Sequence, residues 1–504
     1  MARLDRLVCA AMLALAATSA HPQTAAAPVV AVDGKLTASN NGALSAEETR
    51  REELITSIRP ELTWVRRRPG YELDLRAAAT LLDYANGTQD DDVVPDVLAS
   101  LKTVVVQRLL FVEAAARVRE SEADPFGTRA GESSGANRRT QSSYSLSPSI
   151  ERELSPNASL RASHDATVTT HGAGSGTRLV SNRSLVRLER EPVPLGAAVE
   201  LSRLDSRSVG VADSRFTIDA ARLRVSMALG EQIVLGAVAG AERSRLLLSD
   251  GTDSLHGVTL EWSPGPRTSL SAELEQRFFG RTGGLSFRHR MPLTALELRV
   301  SRQPVTSSNS LGVLGQVADV RDLLHAILTT RFPDPTERDA LVDAVLSIRG
   351  LDTRLPVPVD VVAEYAQLRT VARATWVLLG TRDIALVTLY GHAQRRLERE
   401  DAPTSVSGGV DADSRQAGGS VQFNRRLTPQ VSANALAVWS KIVGLAARAG
   451  DATRERSYRL SLTRKLSPRT GVSGGVQLNR FATTVSGLQP YDERLLFVGM
   501  SHRF

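Results

Sequence analysis

Past position 9 this chain has no cysteine. Cys9 itself lies in a stretch that reads as a secretory signal peptide, Met1–Ala20. Arg3 and Arg6 give it a positive start, Leu7–Ala17 an apolar middle, and Thr18-Ser19-Ala20 a small-residue cleavage site. Cys9 comes too early, with no apolar run before it, for lipoprotein acylation. A disulfide-stapled secreted domain is excluded, and an exported chain without thiols suits the bacterial periplasm or outer membrane. Long hydrophobic runs are also missing. None approaches the roughly 18 residues a spanning helix needs. Aromatics make up only 4% of the chain, and neither sign of charge dominates: 62 Lys and Arg stand against 55 Asp and Glu. Export removes nucleic acid as a partner for the small positive excess.

Catalytic patterns are absent as well. His164, His171, His256, His289, His325, His392 and His502 share no metal-ligand spacing. There is no G-x-S-x-G elbow, and Gly172–Gly176 reads as a flexible loop. Asp90-Asp91-Asp92 falls in a predicted external loop and reads as a solvated cluster rather than a contact for a divalent cation. The sequence therefore suggests no enzyme, metal or cofactor.

What the chain does have is alternation. Tyr71, Leu73, Leu75, Ala77, Ala79 and Leu81 share a face against Glu72, Asp74, Arg76 and Thr80. Leu223, Val225, Met227 and Leu229 oppose Arg222, Arg224 and Ser226. Leu296, Leu298 and Val300 oppose Glu297, Arg299 and Ser301. The period is two, as in strands. The charged faces are too polar for a sandwich core. Mean hydropathy is −0.14, with apolar residues spread evenly, as in a wall with lipid on one side and water on the other.

Short turns punctuate the pattern at Arg68-Pro69-Gly70, Leu154-Ser155-Pro156, Glu191-Pro192, Leu229-Gly230, Trp262-Ser263-Pro264, Met291-Pro292, Leu379-Gly380, Leu427-Thr428-Pro429 and Leu466-Ser467-Pro468. Proline presets φ there and cannot donate to a ladder. Longer polar links lie between them, at 86–92, 120–140, 171–176, 249–254, 304–362, 400–413, 446–454 and 487–490. Short turns on the periplasmic side and long loops outside form the outer-membrane layout. The spacing predicts an all-β fold, a transmembrane antiparallel β-barrel over residues 28–504. It has about 22 strands (range 18–24), from Val29–Ser39 to Arg494–Phe504. Ser45–Arg59 is ambiguous between helix and strand. The 97–119 stretch reads as a hairpin, because Val104-Val105-Val106 is β-branched. Within 304–362, Arg321–Thr330 and Thr336–Ile348 read as two short amphipathic helices, with Thr336 as N-cap and Gly350 as stop. They would form an ordered external loop or a constriction folded into the lumen.

Three groups of residues follow from this layout. Glu261, Glu273, Glu275, Arg277, Glu297 and Arg299 face the lumen as a wall of both signs. Trp64, Trp262 and Trp376 lie close to short turns, at the depth of a periplasmic interface belt. Gly499, His502 and Phe504 belong to a last strand that alternates to a terminal phenylalanine, as outer-membrane barrels commonly end, and serve as an assembly signal. Outer-membrane lipid, lipopolysaccharide and the barrel-assembly machinery are the partners this implies. Arg302 and Arg480 face lipid near strand ends, where snorkelling is cheap.

The run LLHAILTTRFPDPTERDALVDAVLSIRGLDTRLP, then RTVARATWVLLGTRDIALVTLYGHAQ, within Leu323–Leu397, resembles the exosortase-associated (PEP-CTERM system-associated) outer-membrane β-barrel proteins. Those carry a similar IPDP…R…V…GLP insert and a strand pair joined by LLGARN, matched here by Pro333-Asp334-Pro335 and Leu378-Leu379-Gly380-Thr381-Arg382-Asp383. Leu36–Gly42, Glu53–Leu62, Tyr144–Ile150 and Lys465–Val476 are similar to further family segments, so the resemblance spans most of the chain. It implies a Gram-negative outer-membrane barrel in the company of exopolysaccharide and exosortase functions, with export components as partners and no catalytic residues. The leading expectation is envelope export of an exopolysaccharide or a surface protein. The alternatives are a general diffusion porin and a structural or receptor barrel acting through its loops. A TonB-dependent receptor would need a plug of over a hundred residues before the barrel, and the sequence leaves no room for one.

Overall fold

The computed structural model describes residues 28–122, 124–128, 137–172, 178–209, 214–246, 250–305, 366–397 and 413–504, with 324, 325, 327–329, 332, 334, 337, 338, 341 and 342 between them. The signal-peptide reading lies outside the described residues.

Twenty-two strands form one sheet. In chain order they are β1 (Val29–Ser39), β2 (Glu53–Arg68), β3 (Tyr71–Tyr84), β4 (Asp92–Val106), β5 (Leu110–Glu122), β6 (Arg138–Ser155), β7 (Ala158–His171), β8 (Arg178–Arg190), β9 (Leu195–Val209), β10 (Ser214–Leu229) and β11 (Ile233–Arg245). Then come β12 (Asp250–Gly265), β13 (Thr268–Arg277), β14 (Gly280–Arg290), β15 (Thr294–Val305), β16 (Gln367–Leu379), β17 (Asp383–Arg396), β18 (Ser414–Arg426), β19 (Val431–Gly444), β20 (Ala452–Lys465), β21 (Thr470–Thr483) and β22 (Tyr491–Arg503). Each pairs antiparallel with the next. β1 also pairs with β22, from Ala31↔Arg503 to Ser39↔Leu495, so the sheet closes on itself and has no free edge. A closed barrel satisfies every ladder group internally, which is the condition for strands to cross lipid.

The alternation fixes which face is which. Leu223, Val225 and Met227 on β10, Leu460 and Leu462 on β20, and Leu496, Val498 and Met500 on β22 are all exposed on the outside. Their in-between neighbours point into the lumen. So much leucine, valine and methionine facing outward on every side is intelligible only against lipid. The outward Arg480 is paired with Asp492 at 2.8 Å near the outer ends of β21 and β22, away from the membrane centre.

Every even-to-odd connection, from β2–β3 to β20–β21, takes two to four residues, and β1 begins at the rim where β22 ends. Gly70 (φ +96°) and Gly230 (φ +68°) supply the left-handed backbone that two of these turns require. The first strand and nearly all turn signals fall where the sequence puts them, and the 97–119 hairpin forms with its turn at 107–109. Three details differ. Asp250–Ser254 is not an external link but the start of β12, paired with β11 from Arg245↔Asp250 onward. The Trp262-Ser263-Pro264 turn is shifted, because a bulge between Trp262 and Gly265 carries β12 past the proline. The ambiguous 45–59 stretch resolves into a 3-10 turn at Glu47–Thr49 followed by β2.

At the other rim, loops tie to one another. Glu53, first residue of β2, is buried where 40–52 meets 85–91. Its carboxylate accepts hydrogen bonds from Leu54 N (2.9 Å), Asn86 N (2.7 Å), Thr88 N (2.9 Å) and Thr88 Oγ1 (2.7 Å). Burial works against its charge, but the four donors outweigh that and hold the carboxyl below its usual value. A Cβ on Gly42 would lie 2.3 Å from the Glu53 Cβ, so only glycine lets the two loops meet this closely. Farther round, Arg448 in a 3-10 turn between β19 and β20 reaches the β5–β6 loop. It stacks 4.1 Å over the Phe126 ring and bonds Asp124 at 3.1 Å and Asp451 at 2.8 Å.

Candidate functional site

All six lumen candidates face inward. Glu297 is buried and accepts Arg299 Nε at 2.6 Å and Arg288 Nη2 at 3.3 Å. Arg277 donates to buried Glu242 from Nε at 2.8 Å and Nη2 at 2.5 Å, while Phe278 N bonds the other Glu242 oxygen at 3.0 Å. Glu275 meets Arg222 at 3.4 Å, and Arg222 also reaches Glu200 at 3.3 Å. Arg222 stands on β10 and Glu275 on β13, with two strands between. Their inward neighbours there are Gly240, opposite Arg222, and Gly257, opposite Glu275. The missing side chains let the ion pair cross. Glu261 and Glu273 line a cavity of about 430 Å³ with Arg224, Glu297, Arg299 and Arg373.

Sequence reading missed Arg224, Arg373, Glu242 and Arg222. Arg222 and Arg224 were visible as the polar face of β10. Arg373 shares its inward face with Val371, so simple alternation gave no polar stripe to notice.

The other half of the site is the chain between β15 and β16. Both strands reach this segment at the outer rim, yet its described helical residues lie at the opposite end of the lumen. Leu324, Ile327, Leu328 and Val342 form one buried cluster with Ala295, Val377 and Leu386, edged by Phe332, Leu341 and Leu379. Ala295 is the second residue of β15, Val377 lies two residues from the end of β16, and Leu386 is near the start of β17. The helical residues therefore press on the inner wall beside the periplasmic turns. Leu324, Ile327, Leu328 and Phe332 sit at helical spacing, with Thr329 N bonding His325 O at 3.0 Å and Phe332 N bonding Leu328 O at 2.8 Å. These described residues lie on the lumen side of the wall. Asp334 stands before the described helical residues Glu337 and Arg338: its Oδ1 accepts Glu337 N and its carbonyl accepts Arg338 N. A carboxylate there also suits the positive end of the helix. Thr336 and Gly350, the expected cap and stop, lie outside the described residues.

A cavity of about 960 Å³ lies at the periplasmic mouth between His325 and Thr329 on one side and Gln232, Arg267, Arg288 and Arg290 on the other. Higher up, Phe278 and Phe279, at the β13–β14 turn, join Phe216, Ile218, Ala366 and Leu397 in a second apolar cluster near the outer rim.

The remaining candidates are placed as follows. Trp64, Trp262 and Trp376 point outward on β2, β12 and β16, and Trp262 and Trp376 pair with Ile233 and Leu296 in the ladders. Gly499, His502 and Phe504 lie at the closing seam. Phe504 N bonds Val30 O at 2.9 Å, the His502 ring meets Phe504 edge-on at 4.7 Å, and a Cβ on Gly499 would sit 3.1 Å from Gly34 O. Asp91 and Asp92 each accept a backbone N–H, from Tyr84 and Val93. Among the described residues no cluster has the makings of a metal site.

No family model and no curated protein sequence matches the chain. Solved structures do. The chain is similar to the FrpB iron transporter of Neisseria meningitidis, F5-1 variant, at 8% identity and a TM-score of 0.50, over 95% of this chain and 82% of that one. The F3-3 variant gives 10% identity and a TM-score of 0.51, over 95% and 81%. Identities this low speak for the fold alone. Together with the lipid-facing exterior they make this chain a closed 22-stranded β-barrel of the outer membrane.

Proposed function

We propose that this barrel is an export conduit closed by its own internal segment, serving the passage of an exopolysaccharide or a surface protein in an exosortase-associated envelope system. One observation carries the closed-conduit part: Leu324, Ile327, Leu328 and Val342 are buried against the inner wall at the periplasmic end. A general diffusion porin keeps a polar, water-filled channel, which an apolar helical segment docked there would narrow. The cargo class rests on the sequence resemblance over Leu323–Leu397. Nothing in the reading calls for catalysis, and barrel assembly and lipopolysaccharide remain the expected contacts of the outer wall. A receptor barrel is the second reading, favoured by the interlocked outer loops around Arg448, Asp124 and Phe126.

Planar-bilayer recordings of the refolded mature protein, intact and lacking Arg321–Gly350, separate these readings. A silent intact protein that conducts after the deletion supports the closed conduit. Large steady currents from the intact protein identify a porin. Silence from both, with heat-modifiable gel mobility confirming folded barrels, favours the receptor.

A further inference from the structure

Along β15 the inward residues run Ala295, Glu297, Arg299, Ser301, Gln303 and Val305. Ala295 belongs to the apolar cluster at the periplasmic end, and Val305 is buried at the outer end, close to where the second apolar cluster forms. Everything between them is polar. On β16 the periplasmic end is likewise apolar at Val377, and Thr375 and Arg373 follow before Val371. The cavity of about 430 Å³ opens on this middle band, within the roughly 300–1,000 Å³ range of small-molecule sites.

Its lining is unusual in what it leaves unmade. Arg373 is 7% exposed, and its Nε and Nη1 have no hydrogen-bond partner among the described residues. Its cross-strand neighbour is Arg299, a like charge. Glu297 spends one oxygen on Arg299 and Arg288, but its Oε2 is buried without a partner, as are Thr375 Oγ1 and Arg224 Nε. Buried groups of this kind cost free energy unless something satisfies them. Donors and acceptors are thus left open together, on charges of both signs, around hydroxyls.

That combination narrows the ligand. A simple anion would be drawn by Arg224 and Arg373 and repelled by Glu261, Glu273 and Glu297. A cation would meet the reverse. An apolar solute would strand every group. A molecule that donates to the carboxylates and accepts from the guanidiniums through many hydroxyls satisfies both sets at once. The geometry points to a saccharide-binding site on the lumen wall, formed by Arg224, Glu273, Glu297 and Arg373 midway between the two apolar clusters. As a cargo assignment it rests on the export reading above, but binding is measured without transport.

The test is isothermal titration of the refolded mature protein with maltohexaose, with oligogalacturonate and citrate as acidic probes. Glu273→Gln and Arg373→Gln are compared with Arg480→Gln, which lies on the outer face, and all three are checked for heat-modifiable mobility. The expected result is maltohexaose binding, weakened at least tenfold by either lumen substitution and unchanged by Arg480→Gln. Two lumen variants are used so that one misfolded protein does not end the test. The proposal is overturned if maltohexaose does not bind, if only the acidic probes bind, or if binding ignores both lumen substitutions. Maltohexaose binding by a protein that stays silent after removal of Arg321–Gly350 would keep the site and defeat the export reading.

Discussion

Single carboxylates carry much of the structure's order. Glu242 is buried with Arg277 across β11 and β13 and also accepts Phe278 N, so it fixes the turn that starts the outer apolar cluster. Glu242→Ala leaves a buried guanidinium unpaired, a change that typically costs about 3–5 kcal/mol. Urea unfolding in detergent should show a clear loss of stability, and Glu242→Gln a smaller one. Glu53 works at the outer rim through charge. Its folded pKa lies below the unfolded value, so its contribution is complete above the unfolded pKa and is lost as pH falls through the folded one. Limited proteolysis of 40–52 and 85–91 should therefore accelerate as the pH drops below roughly 4.3. Glu53→Gln should be cut readily at neutral pH and show much less dependence on acid. Equal protection of the two proteins at pH 7 would refute this role.

Elements make the distinction between wall and plug. A strand of the wall is specified by alternation and by a turn at each end, and both are local. That is why β1, the 97–119 hairpin and the proline turns were legible in the sequence. The bulge after Trp262 was not, because it depends on the partner strand. The helical segment was legible as helix, from the spacing of Leu324, Ile327 and Leu328, but not in where it docks. Its apolar face fits a membrane-distal loop or a lumen wall equally well until Ala295, Val377 and Leu386 are known to be neighbours. Leu324 is fully buried in this cluster. Leu324→Ala should loosen the plug by about 2–5 kcal/mol without touching the wall. Single-channel recording should then show brief openings absent from the parent. At the other rim, Arg448→Ala removes the tie between the β5–β6 and β19–β20 loops. Whole-cell protease treatment should then nick the chain near 124–137 faster, with barrel mobility on gels unchanged.

The whole molecule is a cylinder whose outside and inside answer to different solvents. Outside, Leu460, Leu462, Leu496 and Val498 stand in lipid. Inside, ion pairs such as Arg222–Glu275 brace strands that do not touch, across glycine gaps in β11 and β12. The charged lumen was legible from the polar faces of β12, β13 and β15. The pairings within it were not, because β10 meets β13 only once the sheet has curved. The account's central claim is that the described helical residues between β15 and β16 lie inside this cylinder, against the periplasmic end of its wall.

The absence of cysteine beyond position 9 makes that claim directly measurable. Leu328→Cys and Val377→Cys in one refolded protein, treated with a short bis-maleimide, should give an intramolecular crosslink that shifts the mobility of the heat-denatured band. Neither single variant should give it. If both thiols react with a mono-maleimide after unfolding but never crosslink in the folded barrel, the segment is not docked in the lumen.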